Sequence, residues 1–104
     1  MNLPEARDAM LKVRQVLEIA VGGEASVARR ARLRSLVLKL DHELAVVDGR
    51  IQLDASARYE PVRDNFVTAV KDLNWARNMA DTFAISPTEA ASIVSWVASI
   101  RQLL

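Results

Sequence analysis

Residues 61–83, PVRDNFVTAVKDLNWARNMADTF, carry the pattern that decides the fold of this chain. Apolar residues recur here at alternating steps of four and three, which keeps them on one face of an α-helix. The positions on that face are Val62, Phe66, Ala69, Leu73, Ala76, Ala80 and Phe83. Proline is tolerated in the first turn of a helix, so Pro61 suits the start of the segment. The stretch predicts an amphipathic helix over 61–84.

A second helix is indicated directly after this one by its N-terminal sequence. Ser86 is a favourable N-cap residue, Pro87 suits the first helical position, and Glu89 completes a capping box with Ser86. An apolar seam follows at Ala90, Ile93, Val97, Ile100 and Leu104. These features predict a helix over 87–103.

Two further helices are predicted before residue 61, over 4–21 and 25–48. Asn2 is suited to cap the first, and Gly22-Gly23 is expected to end it. The first seam contains Leu3, Ala6, Met10, Val13, Leu17 and Ala20, and the second contains Leu33, Leu36, Val37, Leu40, Leu44 and Val47. Both seams have the spacing of one buried helical face.

The segment around Gly49 is compatible with two structures. Asp48-Gly49 is a favoured type I′ turn, so residues 46–51 are compatible with a β-hairpin. An isolated two-stranded hairpin is only marginally stable, and Ile51 continues the helical stripe that contains Leu44. We therefore favour a helix end, or a helix that continues through the glycine.

The whole composition agrees with one compact helical domain over residues 1–104. A hydrophobic share of 51% excludes a disordered chain, and 104 residues suit a single core. The absence of cysteine excludes disulfides and thiolate chemistry. Four amphipathic helices with short links then predict an all-α protein with the architecture of an up-and-down four-helix bundle.

The N-terminus and the charge distribution indicate a cytoplasmic protein without membrane contact. The first eight residues carry charges of both signs and lack the basic start and apolar run of a signal peptide. Charged residues interrupt every apolar stretch well before the roughly 20 residues that a membrane span needs.

The sequence gives no support for an enzyme, a cofactor or a metal site. His42 is the only histidine, and it stands between Asp41 and Glu43 on the polar side of its helix, where a solvated side chain is expected. No pair of histidine and carboxylate residues has the spacing of a metal-binding helix, and no glycine-rich phosphate loop is present. We therefore expect no catalytic residues.

A basic cluster at the start of the second helix allows two interpretations. It contains Arg29, Arg30, Arg32 and Arg34, with Lys39 beyond. Cations are mildly unfavourable at a helix N-terminus, and arginines suit phosphate or carboxylate partners. They either flank the core and pair with acids such as Asp72, or contact nucleic acid or an acidic protein. A net charge of +1 makes nucleic acid the weaker alternative.

The fourth helix lacks the charged face that a surface helix normally has. From Pro87 to Leu104 the only charged residues are Glu89 and Arg101. Small residues on the side away from its seam would let another helix approach closely. The side chains predicted to form this interface are Ala91, Ser95, Ala98 and Ser99. We expect a homodimer, the commonest closed assembly.

A second candidate contact lies on the third helix, where Trp75 falls about 160° from the seam residue Leu73. Met79 and Lys71 share this side, one turn away in either direction. The tryptophan either lies flat under Lys71 or the 49–60 segment, or anchors a protein partner. We also expect Trp96, the second tryptophan of the chain, to take part in partner binding.

These features favour a small non-enzymatic protein–protein interaction module. Such a module would be a small helical regulator, adaptor, export chaperone or anti-activator that covers a partner's surface. The alternative is a nucleic-acid-associated helical protein that uses the basic segment from Arg29 to Lys39. Retention on DNA or RNA that does not change with salt below about 100 mM would exclude this alternative.

Overall fold

The computed structural model describes residues 2–59 and 63–101, with side-chain surroundings for 2–59 and 71–98. The described residues form the helices α1 (Leu3–Gly23), α2 (Val27–Leu53), α3 (Arg63–Met79) and α4 (Pro87–Arg101), with a 3₁₀ turn over Ala80–Thr82. No strand occurs in these ranges, apart from an isolated bridge between Asn2 and Arg58. The prediction of an all-α protein is confirmed for this part of the chain.

The helices pack in a closed sequence of neighbours. The contact between α1 and α2 is the most extensive, and α4 contacts both α3 and α1. Arg7 pairs with Asp48 and Arg14 pairs with Asp41, so residues later in α1 meet residues earlier in α2. The arrangement is compatible with a helical bundle, and the up-and-down order of all four helices stays a prediction.

The core consists largely of the predicted seams. Every seam residue of α1 and α2 is buried. Leu73 and Ala76 of α3 are buried as well, as are Ala80 and Phe83, which follow α3. On α4, Ile93 and Val97 are buried. Ala90 is half-buried against this core. The seam positions Val62, Phe66, Ala69, Ile100 and Leu104 lie outside the side chains that the structure describes.

The predicted N-caps are confirmed by their hydrogen bonds. The Asn2 side chain accepts a hydrogen bond from the backbone N–H of Glu5 at 2.9 Å. Ser86 and Glu89 form the reciprocal capping box: the Glu89 N–H donates to Ser86 Oγ at 3.2 Å, and the Ser86 N–H donates to the Glu89 carboxylate at 2.9 Å. These bonds satisfy N–H groups that have no partner within the helix.

The ends of α2 and α3 differ from the prediction. Helix α2 continues through Gly49 to Leu53, so the hairpin alternative is wrong and the predicted end at 48 is too early. Helix α3 ends at Met79, before the predicted end at 84. The Thr82 hydroxyl donates to the Met79 carbonyl at 2.7 Å, and the chain tightens into a 3₁₀ turn that still buries Phe83.

The end of α1 also differs, because Gly22 and Gly23 belong to the helix and do not stop it. The reason for a glycine at 23 is a close approach. A Cβ atom built on Gly23 would stand 2.6 Å from the Cβ atom of Ala84, whereas one built on Gly22 would have no neighbour within 4 Å. Gly23 therefore allows the end of α1 to pack against the segment that leads into α4.

The two adjacent glycines should respond oppositely to alanine. Gly22→Ala should raise the free energy of unfolding by about 0.5–1 kcal/mol, since alanine restricts the unfolded chain and meets nothing in the fold. Gly23→Ala should lower it by about 1–3 kcal/mol, because the added methyl group forces the neighbouring backbone apart. Urea unfolding of both variants measures the difference, and equal effects would contradict the close contact with Ala84.

Candidate functional site

A groove runs between α1 and α4 on the surface of the protein. Its volume is about 630 Å³, which is within the range of ligand-binding clefts. Helix α1 contributes Glu5, Asp8, Ala9, Lys12 and Val13, and helix α4 contributes Thr88, Ala91, Ser92, Ser95 and Trp96. Two residues of the predicted oligomer interface, Ala91 and Ser95, therefore line the groove.

The α4 wall of the groove continues into an uncharged outer face. Ala91, Ser95 and Ala98 are all exposed, and Val94 exposes 40% of its surface beside them. The side chain of Ser99, the fourth residue of the predicted interface, lies outside the described part. Helices normally present charged and polar residues to water on this side, so the face is unusual for an isolated bundle.

Trp96 forms the buried part of the α4 wall. Only 5% of its surface is exposed, so most of the side chain packs within the protein, and its role in partner binding stays a prediction. Its indole N–H finds no acceptor among the residues that the structure describes. A buried donor without a partner costs about 1–3 kcal/mol.

The α1 rim of the groove is charged with both signs. Glu5, Asp8 and Lys12 line it, and none of them forms an ion pair with another residue in the described ranges. Asp8 and Lys12 are one helical turn apart. Opposite charges at this spacing match an identical helix that runs antiparallel across a two-fold axis, because each carboxylate then faces the partner's ammonium group.

The basic cluster divides into two sets with different surroundings. Arg29 lies 3.4 Å from Glu24 and donates to the Thr82 hydroxyl at 2.6 Å. Arg32 and Lys39 both reach Asp72 of α3, at 3.3 and 2.5 Å. These three cations join α2 to neighbouring segments, which agrees with the interpretation that they pair with acids beside the core.

Arg30 and Arg34 form the second set, on the side of α2 away from α3. Neither forms an ion pair with another residue in 2–59 or 71–98. Arg34 is exposed, and Arg30 is half-buried with its Nε atom inaccessible and without an acceptor in those ranges. The four arginines of the predicted basic contact are therefore not one surface.

Trp75 is not isolated on a solvent-exposed face of α3. It is half-buried, with the Arg32 guanidinium 4.4 Å from its ring centroid and the Phe83 ring centred 5.7 Å away. The cation over the ring comes from α2, not from Lys71, which is exposed. Met79 is half-buried against the core. Trp75 thus links α2 and α3, and its role in partner binding stays a prediction.

A buried polar contact that sequence reasoning missed joins α2 to the loop after it. Tyr59 is 4% exposed, and its hydroxyl donates to the Glu43 carboxylate at 2.6 Å. The same loop accepts the Leu3 N–H at the Ala57 carbonyl, 3.1 Å away. The sequence signal was Glu43 itself, which falls beside Leu44 and Leu40 on the buried side of α2.

Burial is the main cause that raises the pKa of Tyr59 above its ordinary value of about 10, and the hydrogen bond to Glu43 is the second. A raised pKa means that the folded state retains a proton that the unfolded state releases above about pH 10. The free energy of unfolding should therefore fall by up to about 1.4 kcal/mol per pH unit beyond that point. Tyr59 is the chain's only tyrosine, so tyrosinate absorbance follows this group alone.

The control for this titration is Tyr59→Phe, which should remove the additional alkaline loss of stability. In the parent protein, tyrosinate should appear only together with unfolding. Tyrosinate formation near pH 10 in a protein that is still folded would show that the hydroxyl is not buried against Glu43.

The structure adds two observations about function classes. His42 is exposed, and no three histidine or carboxylate side chains in the described residues are grouped to hold a metal ion. No helix within the described ranges is both long enough and apolar enough to cross a membrane.

Comparisons with protein-family models, with curated protein sequences and with solved structures found no match to this chain. Function is therefore inferred from three features of the structure: the groove between α1 and α4, the uncharged α4 wall of that groove, and Arg30 and Arg34 on α2.

Proposed function

We propose that this chain is a non-enzymatic protein–protein interaction module, an up-and-down helical bundle that associates through α4 and the groove beside it. The observation that carries the proposal is the outer face of α4, where Ala91, Val94, Ser95 and Ala98 are exposed without a charged residue among them. Water stabilises such an uncharged face only weakly, so covering it with another helix costs little free energy of hydration.

The first occupant that we propose for this surface is a second copy of the chain. Small side chains allow two helix axes to approach to about 8 Å, the short end of the usual range. A two-fold axis near the α1 rim would place Asp8 opposite the second copy's Lys12 and Lys12 opposite its Asp8, so the charges of the rim are self-complementary. Apolar packing and matched charges then support the same symmetric homodimer.

This proposal places the protein with regulators, adaptors, export chaperones and anti-activators that act by covering another protein's surface. We also propose a cytoplasmic location, with which the absence of cysteine agrees. The nucleic-acid alternative receives less support, because Arg29, Arg32 and Lys39 are already paired within the protein. Arg30 and Arg34 are then the cations of this segment that remain to neutralise phosphates.

Charge introduced into the α4 face tests the proposal. Ser95→Glu or Ala98→Glu should convert a dimer into a monomer, because a carboxylate in a close helix contact costs several kcal/mol when it loses its water. Light scattering coupled to gel filtration measures the mass. The matched control is Ala28→Glu, which adds the same charge at an exposed alanine of α2.

The control variant should remain a dimer, and circular dichroism should show that all three variants keep their helix content. A parent protein that is monomeric at every concentration would overturn the homodimer. An α4 variant with unchanged mass would show that this face is in solvent.

A further inference from the structure

The outer face of α2 combines exposed apolar side chains with uncompensated positive charge. Val27 and Leu38 expose 76% and 67% of their surface. At about 100° per residue, Val27, Ala31, Arg34 and Leu38 fall within a sector of about 60°. The surface concavity along them has a volume of about 450 Å³. This stripe lies opposite the seam that α2 buries in the core.

The positive charge of this stripe has no counterpart in the described part of the chain. Arg30 and Arg34 are four residues apart, so their side chains lie on adjacent turns of one flank. The acids nearest to these arginines in sequence are already engaged, because Asp41 pairs with Arg14 and Glu24 pairs with Arg29. Two neighbouring guanidinium groups without an acid repel each other mildly, and an external carboxylate would relieve this repulsion.

We propose that the outer face of α2 docks an acidic amphipathic helix of a protein partner. Val27 and Leu38 are 11 residues apart, which corresponds to about 16 Å or three helical turns. A partner helix with apolar residues at heptad spacing can cover both, while carboxylates on its flank meet Arg30 and Arg34. Guanidinium groups bind carboxylates with two parallel hydrogen bonds, which gives the contact its orientation.

Charge and apolar exposure together favour this occupant over two others. A nucleic acid would use the arginines but leave Val27 and Leu38 without an apolar partner, and two cations neutralise few phosphates. A second copy of the same face would bring four arginines together without an acid between them. The proposal is independent of α4, because the backbones of α2 and α4 are not neighbours in the described residues.

The test uses a synthetic peptide of three heptads with leucine at the a and d positions and glutamate at e and g. Like charges at e and g keep the peptide from pairing with itself. A second peptide carries lysine in place of every glutamate. Fluorescence anisotropy of the labelled peptides against the full chain measures both dissociation constants, and the acidic peptide should bind at least about tenfold more tightly.

Variants of the chain then identify the face. Arg30→Glu combined with Arg34→Glu should weaken binding of the acidic peptide at least about tenfold. The lysine peptide should then bind this variant more tightly than the acidic peptide does. Leu38→Ala should also weaken the acidic peptide. The matched controls are Arg58→Glu and Leu53→Ala, which change an exposed arginine and an exposed leucine outside the face and should leave binding unaltered.

Four results would overturn the proposal. One is failure of the acidic peptide to bind the parent protein. Another is binding that survives reversal of both arginines. A third is tighter binding of a single-stranded oligonucleotide that is insensitive to Leu38→Ala, which would assign the face to nucleic acid. The fourth is a halved mass of the Arg34→Glu variant, which would assign the face to self-association. The α4 variants test the homodimer separately, so failure of either proposal is distinguishable from failure of the other.

Discussion

Replacing Leu73 by alanine should lower the free energy of unfolding by about 2–5 kcal/mol. Leu73 is the central seam position of α3 and exposes only 1% of its surface. The loss combines the transfer of three buried carbon atoms with the cavity that remains, because a packed core relaxes only partly. Urea denaturation followed by circular dichroism gives the value.

Leu53→Ala is the matched control for this experiment. Leu53 ends α2 and exposes 89% of its surface, so its truncation should change the free energy of unfolding by less than about 0.5 kcal/mol. Similar losses for the two leucines would contradict the placement of the α3 seam in the core.

Trp75→Ala should lower the free energy of unfolding by about 2–3 kcal/mol, below the 3–5 kcal/mol typical of a fully buried tryptophan. The ring loses its packing with Phe83 and the stacked guanidinium of Arg32, which lie 5.7 and 4.4 Å from its centroid. Aromatic pairs and cation–π contacts each account for about 1 kcal/mol of this loss. Trp75→Phe retains an aromatic face and should lose less.

Lys71→Ala provides the contrast, because Lys71 is exposed and does not cover the ring. Its substitution should leave stability unchanged. A Trp75→Ala variant with the parent's stability but with weakened binding to a protein partner would show that Trp75 is an interaction anchor. It would also show that the contact with Arg32 contributes little.

The core was accessible from the sequence because it depends on a period of 3.6 residues that apolar side chains reveal directly. Every seam residue predicted for α1 and α2 is buried. The capping box of Ser86 and Glu89 was equally accessible, since both partners lie within one turn of the same helix. Local patterns of this kind require no knowledge of how the helices meet.

Helix ends were less predictable because they depend on contacts between distant residues. Gly23 lies within α1 and packs against Ala84, 61 positions later in the chain. The hydrogen bond between Tyr59 and Glu43 likewise depends on a loop that returns to α2. The spacing of apolar residues along the sequence predicts neither contact.

The candidate surfaces show the same division. The uncharged face of α4 was visible from composition, and Ala91, Ser95 and Ala98 are exposed, while their place in an interface stays a prediction. The basic cluster could not be resolved into its two sets without α3, because Asp72 is what distinguishes Arg32 from Arg34. Neighbouring arginines on one helix therefore have different surroundings.

Site-specific crosslinking of α4 tests the homodimer most directly. The chain contains no cysteine, so Ala91→Cys, Ser95→Cys and Ala98→Cys each introduce the sole thiol, and Ala28→Cys on α2 is the control. Our account predicts that a short bis-maleimide joins two copies through at least one α4 position and leaves the control uncrosslinked. A chain that light scattering shows to be monomeric, with no α4 thiol crosslinked above the control, would contradict it.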